Sequence, residues 1–347
     1  MNNKIKTNNK FKYLIGLGLI SSLLSSCDML IRFPSTSNNS NITNSVSSRT
    51  STSVIKASVS TSVTPSKTYD IDRYDYLQFK GNPIYATYKN ESTRIYEELY
   101  AACKEVTEGN KSYSSNIISR IPYSNFDVAC AVYFSFLHSN PEFYFLRNGF
   151  EYGDSIINGV STKVIRPLFD DEYVSEQARN IYDAKLESYK NAFLSKFQSV
   201  KLSDTTTQAR FIHDYVCDST YYEYVDGTPS TNKHAHNILG TIDNDNSTGS
   251  VCEGYAKTYQ LLCDLVGIET ITIVGQTSSG GNHMWNYTKN IYSWYGVDVT
   301  WDDGKTTNSL KYKYFLATNN VMKADHIPAS NNISADIFQV PVPILSN

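Results

Sequence analysis

The stretch SVCEGYAKTYQLLCDLVGIETITIVGQTSSGGNHMWNYTKNIYSWYGVDVTWDDG, residues 250–304, decides the fold. It predicts a helix that opens on Cys252, with Tyr255, Tyr259, Leu262, Cys263 and Val266 on its buried face and Gly267 as its stop. Thr270 to Gly275 is β-branched and predicts a strand, and Gly280-Gly281 marks a loop after it. His283, Trp285 and Tyr287 then alternate on one face of a second strand, and Trp294, Gly296, Asp298 and Thr300 on one face of a third. Helices first and strands after predict an α+β core.

Cys252, His283 and Asp298 are the residue types of a thiol nucleophile, its base and the group that orients the base. A cysteine in the first helical turn sits near the positive end of the dipole and near unpaired backbone N–H groups. Both favour the thiolate, and such settings bring a thiol from ~8.5 to between roughly 3.5 and 7.5. The same N–H groups suit a developing oxyanion. Cys263, on the apolar face, has neither advantage and reads as structural. If the second and third strands form a hairpin with an even-length turn, His283 and Asp298 share a face, opposite or diagonal. Asp302 and Asp303 follow and read as turn formers.

Upstream, Ala178, Ile181, Tyr182, Leu186, Tyr189, Phe193 and Phe197 form a long helical stripe, and Asp204 is placed to cap a helix through Ala209, Ile212 and Val216. His213 and Asp214 are neighbours on that helix, about 100° apart and poorly placed as a pair; His213 reads as structural. His234-x-His236 would suit a metal on a strand but lacks an acidic or cysteine partner at ligand spacing, so exposed loop histidines are expected. Further back, a helix is expected over Glu91 to Glu108. A second, capped by Ser124 or Asn125, should run to about His138, with strands over Glu142 to Tyr152 and Ser161 to Phe169. Cys103 and Cys130 read as buried small hydrophobes on these helices, with a disulfide as the alternative in an exported protein.

The N-terminus has four lysines and then an apolar run of 12 residues from Tyr13 to Leu24, too short to span a bilayer core and suited to a signal peptide. Leu24-Ser25-Ser26-Cys27 is similar to the lipobox of bacterial lipoproteins, which implies cleavage before Cys27, lipidation of Cys27 and anchoring on the outer face of the cell membrane. From Ser35 to Lys67 the composition falls to Ser, Thr, Asn and isolated Val, the signature of a disordered tether. A flexible chain over Ile31 to Thr68 would span about 35 Å.

The whole chain of 347 residues carries a formal charge of −3, and −7 without its first 26 residues. That balance argues against nucleic acid as a partner, since basic patches provide most of that affinity. The six cysteines contain no CxxC pair, so neither a zinc ribbon nor a thioredoxin-type motif is expected. The 27 tyrosines are the one compositional feature that favours a binding surface.

The segments Val251-Cys252-Glu253-Gly254-Tyr255-Ala256, Gly281-Asn282-His283-Met284-Trp285-Asn286 and Val297-Asp298-Val299-Thr300-Trp301-Asp302-Asp303 resemble the transglutaminase-like superfamily of papain-type thiol enzymes in its bacterial form. Ile212-His213-Asp214-Tyr215 and Asn140-Pro141-Glu142-Phe143 resemble segments that precede this core, so the likeness covers about Asp127 to Leu316. At the hairpin turn, where relatives often have Asp-Gly, this chain has Asn290-Ile291-Tyr292. The resemblance implies a papain-like core with catalytic Cys252, His283 and Asp298, no metal or organic cofactor, and a peptide or protein amide as substrate. Hydrolysis and transamidation are both implied, and the oxyanion-hole side chain is not assigned. The expected organisation is a lipoprotein signal peptide over residues 1–26, a tether over 27–68, a small α+β region over 69–171 and the transglutaminase-like domain over 172–347. The alternative function is a catalytically silent surface module that binds peptide or glycan on the same scaffold.

Overall fold

The structure, a computed structural model, describes residues 12–15, 89–108, 118–121, 126–243, 248–304, 311–329 and 342–347. Cys27, the Ser/Thr/Asn-rich stretch and the expected caps Ser124 and Asn125 lie outside these residues. No helix among the described residues is long and apolar enough to cross a membrane.

The N-terminal part pairs two helices with an antiparallel sheet. Helices α1 (Lys89–Glu108) and α2 (Phe126–Ser139) pack through an edge-to-face contact of Tyr96 on Phe136, with ring centroids 4.9 Å apart. Strands β1 (Lys12–Ile15), β2 (Ile118–Ile121), β3 (Leu146–Ile157) and β4 (Val160–Phe169) lie in the order β1-β3-β4-β2. The strand expected from Glu142 begins later, at Leu146. After Pro141 the chain first makes two turns, Phe143 N–H donating to the Asn140 carbonyl and Leu146 N–H to the Phe143 carbonyl. Cys103 and Cys130 are fully buried, and burial raises the Cys103 thiol well above its usual range.

Two long helices lead into the core, each starting on a capping side chain. Ser175 Oγ accepts from Ala178 N–H at the start of α3 (Glu176–Ser199), and the Asp204 carboxylate accepts from Thr207 N–H at the start of α4 (Thr205–Ser219). They pack through Phe193, Phe197, Phe211 and Tyr215. A short hairpin, β5 (Tyr224–Val225) and β6 (Thr228–Pro229), turns on Asp226-Gly227, both at positive φ.

The expected central helix is α5 (Cys252–Val266), closed by Gly267 at φ 79°. Behind it lie β7 (Thr270–Thr277), β8 (Asn282–Asn290), β9 (Ser293–Val297) and β10 (His326–Pro328), in the antiparallel order β10-β7-β8-β9. The chain thus builds the expected α+β core, helices before an antiparallel sheet. The face toward α5 is polar and bonds across to the helix: Asn286 Nδ2 donates to the Ala256 carbonyl, Gln260 Nε2 to the Thr270 carbonyl and Thr272 Oγ1 to Gln260 Oε1. On the other face Ile271, Ile273, Trp285 and Tyr287 pack with Tyr314, Ala317, Met322 and Leu345.

Two differences from the sequence reading matter for the site. β9 ends at Val297, so Asp298 and Thr300 are not strand residues; Asp298 instead caps a helical turn over Val299–Asp302. And β10, a three-residue edge strand beyond Leu316, was not expected, because His-Ile-Pro is too short to show any periodicity.

Candidate active site

Cys252 stands at the first position of α5 behind Val251, an extended N-cap whose side chain makes no capping bond. Valine has no side-chain acceptor, so no N-cap side chain fills the N–H groups of the first turn. The approach to the helix is held from both sides: Ser250 N–H donates to the Tyr221 carbonyl and Val251 N–H to the Ala235 carbonyl. Gly254 explains itself here. A Cβ on it would lie 2.7 Å from the Ala235 carbonyl oxygen and 3.0 Å from that of Asn237, so only glycine lets this loop close on the first turn. Glu253 adds a clamp, accepting from Lys257 Nζ at 2.6 Å and pairing with His236 Nδ1 at 3.0 Å. Burial alone would raise that carboxyl; Lys257 and His236 bring it far below the usual range instead.

His283 enters from β8, with its ring lying nearly parallel to the Trp301 and Trp285 indoles, centroids 4.9 and 5.8 Å away. Its Nε2 lies 2.7 Å from Asp298 Oδ2. A carboxylate only accepts, so Nε2 carries the proton and Nδ1 is left for the thiol. Burial would lower this imidazole, but the charge and hydrogen bond of Asp298, then the hydrogen bond and charge of Cys252, push it up to about 10. Asp298 is 1% exposed. Burial would raise its carboxyl, yet His283 and His326 hold it well below the usual carboxylate range. Its Oδ1 accepts from Trp301 N–H at 3.2 Å as the cap of the helical turn. The three residues singled out by spacing are therefore brought together, His283 between the thiol and the carboxylate.

Other expected residues are placed as follows. Asp302 and Asp303 do shape the turn: Asp302 accepts from Tyr314 N–H, and Asp303 Oδ2 from the Tyr255 hydroxyl. His213 is buried and structural, but the neighbouring Asp214 does reach it, at 2.9 Å from Nδ1, with Asp302 3.4 Å from Nε2. The short Asp214 side chain folds back along the helix, which offsets the 100° between neighbours. His234 and His236 are loop residues, as expected, but half-buried rather than fully exposed. His234 packs against Tyr173 and Tyr182, and His236 bridges Glu253 and the Ser230 carbonyl.

Two residues at the site carried no sequence signal. Tyr222 lies against Cys252: burial and the charge of Cys252 raise its phenol, while a hydrogen bond with the Cys252 backbone opposes them. Among 27 tyrosines nothing set it apart. His326 arrives on β10 and places Nε2 3.0 Å from the same Asp298 oxygen. Its signal would have been a chemistry-bearing residue 28 positions past Asp298, visible only once the edge strand is known. The ligand atoms of His283, Asp298 and His326 lie within 4.8 Å of one another, but the hydrogen bonds they share account for that closeness. A cleft of about 410 Å³ opens beside His283, lined also by Tyr221, Tyr222, Tyr224, Thr300, Trp301 and Asp303.

Residues 193–299 match the protein-family model described as Transglutaminase-like superfamily, a span that includes Cys252, His283 and Asp298. The kyphoscoliosis peptidases of Mus musculus and Homo sapiens are 29% and 30% identical to this chain over 99 residues. Each match covers 23% of this chain and 15% of the relative, so the chain spans a small part of their length. A solved crystal structure of a TGase is similar at 16% identity and a TM-score of 0.31, covering 46% of this chain and 45% of that one.

Proposed function

We propose that this chain is a thiol acyl-transfer enzyme acting on peptide or protein amides, a reading supported by the match of residues 193–299 to the Transglutaminase-like superfamily model. The observation that carries the reading is the order Cys252, His283, Asp298 at an open helix start, with His283 held on its far nitrogen by a buried carboxylate. The Cys252 thiolate attacks the amide carbonyl, and the S–C bond forms as negative charge moves to the carbonyl oxygen. The Cys252 N–H and the Tyr222 hydroxyl, which lie side by side, are the donors for that oxyanion. As the C–N bond breaks, the His283 proton goes to the departing amine and a thioester remains. Water then gives an acid, or a second amine gives a new amide; in either case His283 takes the incoming proton. Asp298 keeps the imidazole in the tautomer these steps need. No step calls on a metal or an organic cofactor. The three tyrosines of the cleft suit an extended peptide with apolar or aromatic side chains.

Presentation on the outer face of the cell membrane through a lipid on Cys27 is part of the proposal, motivated by the Leu24 to Cys27 segment; cleavage before Cys27 would remove the edge strand β1 (Lys12–Ile15) from the mature sheet. Labelling with a fatty-acid analogue should mark the wild type and not Cys27→Ala; equal labelling removes the anchor. For the chemistry, a glutamine-containing test protein is incubated with and without a primary amine, and released ammonia, new amine termini and incorporated amine are measured. Wild-type turnover that is absent in Cys252→Ala is expected. No product in any channel, together with tight binding of the test protein, would favour the silent binding module.

A further inference from the structure

Resting on that acyl-transfer reading, we propose that His326 is a positioning residue of the same reaction: it shares the Asp298 carboxylate with His283 and so sets how tightly His283 holds its proton. Asp298 Oδ2 lies 2.7 Å from His283 Nε2 and 3.0 Å from His326 Nε2. The other nitrogen of His326, Nδ1, lies 2.8 Å from Asp325 Oδ1. Both ring nitrogens thus face carboxylate oxygens, which only accept, and with its proton on Nε2 the ring donates to Asp298 as His283 does. Asp325 is itself held: its Oδ2 accepts from the Tyr314 hydroxyl at 2.6 Å and from Lys313 Nζ at 3.3 Å.

The arrangement is built rather than incidental. His326 is 3% exposed, and its ring is packed against Trp301, Trp285 and Tyr314 with centroids 4.6, 4.8 and 5.1 Å away. The strand that carries it pairs tightly because β7 has Gly275 there: a Cβ would come within 2.3 Å of the Ile327 carbonyl oxygen. The charged and titratable groups around the two rings are Asp298 between them, Cys252 with Tyr222 behind it beyond His283, and Asp325 with Tyr314 and Lys313 beyond His326. A carboxylate that served His283 alone would hold the imidazolium proton hard, which favours the thiolate but hinders transfer to the departing amine. A second N–H donor on the same oxygen draws on its lone pairs, weakens that hold and leaves the orientation intact.

The test uses the full chain and iodoacetamide as probe, with Cys252 alkylation followed by mass spectrometry across pH. His326→Phe keeps the aromatic packing but removes the N–H from Asp298. The carboxylate then holds the His283 proton harder, so the limb of the profile that reports loss of that proton should move to higher pH by roughly one unit. A profile superimposable on the wild type would overturn the proposal and leave His326 a packing residue. A wild-type profile like that of an ordinary thiol, unchanged in His283→Ala, would instead sink the acyl-transfer reading beneath it. Should His326→Phe fail to fold, ¹⁵N-histidine NMR of the wild type decides. Alkylating Cys252 should shift the ring signals of both His283 and His326, whereas a shift confined to His283 overturns the proposal.

Discussion

A carboxyl as deeply buried as Asp298 would ordinarily keep its proton; here the donors on Oδ2 and Oδ1 hold it ionised. Asp298→Asn preserves the shape and the cap but presents an amide to His283, so the fold should survive while kcat falls by roughly 10²–10⁴-fold. Loss of turnover without change in the circular dichroism spectrum is the expected result. The same pair gives stability a definite pH window. The Asp298 carboxyl is lower folded than unfolded, so its contribution is present above about pH 4 and lost as pH falls. His283 is higher folded, at about 10. Its contribution is complete below about pH 6.5 and is lost as pH rises toward that value. Melting temperatures between pH 7 and 10 should therefore fall more steeply for the wild type than for His283→Gln. Parallel curves would show that the pair adds nothing to folding.

The β8–β9 hairpin brings the Asp298 turn to His283 through the pairings Asn286–Val297 to Asn290–Ser293, leaving a two-residue turn at Ile291-Tyr292. The even-length turn on which a shared face for His283 and Asp298 was conditional is present, but its first residue is strained: Ile291 sits at φ 58° and is 72% exposed. A β-branched residue in the left-handed region costs about 1–2 kcal/mol, so Ile291→Gly should stabilise by about 1 kcal/mol, less glycine's own unfolded-state entropy. A rise in the urea midpoint with unchanged slope checks it. At the start of α5 the opposite holds. Gly254→Ala forces the Ala235–Asn237 loop off the first turn, and should destabilise by about 2 kcal/mol or more. It should also slow alkylation of Cys252, as the clamp around that turn loosens.

The N-terminal helices and the core around α5 meet at α2, which packs on β7 and brings His138 near Lys257 and Glu253. Burial, then the charge of Lys257, lowers His138 to about 4. A histidine kept neutral in the fold but charged when unfolded removes stability as pH falls from about 6.5 toward 4. His138→Gln should flatten that part of the stability curve; an unchanged acid limb would show that the charge of His138 does not couple the two parts. This acid sensitivity lies at slightly higher pH than that of Asp298, so the two limbs are separable.

What was legible in the sequence was local. The stripe of α5, its glycine stop, the capping Asp204 and the alternation of β8 each depend on neighbours a few residues away, and their physics is carried by the chain itself. Cys252, His283 and Asp298 could be named for the same reason: helix start, strand phase and hairpin parity confine where their side chains point. Asp298 was placed on a strand because alternation continues through Thr300; that its own carboxylate caps a turn at Trp301 depends on competition between side chain and ladder, which periodicity does not report. Tyr222 and His326 were invisible because their roles come from contacts across 30 residues or more of chain, or through a three-residue edge strand with no pattern of its own. Elements and candidate residue types are thus properties of short stretches of chain. Which phenol stands at the thiol, and that two imidazoles share one carboxylate, follow from packing, because burial and charge at a point depend on everything around it.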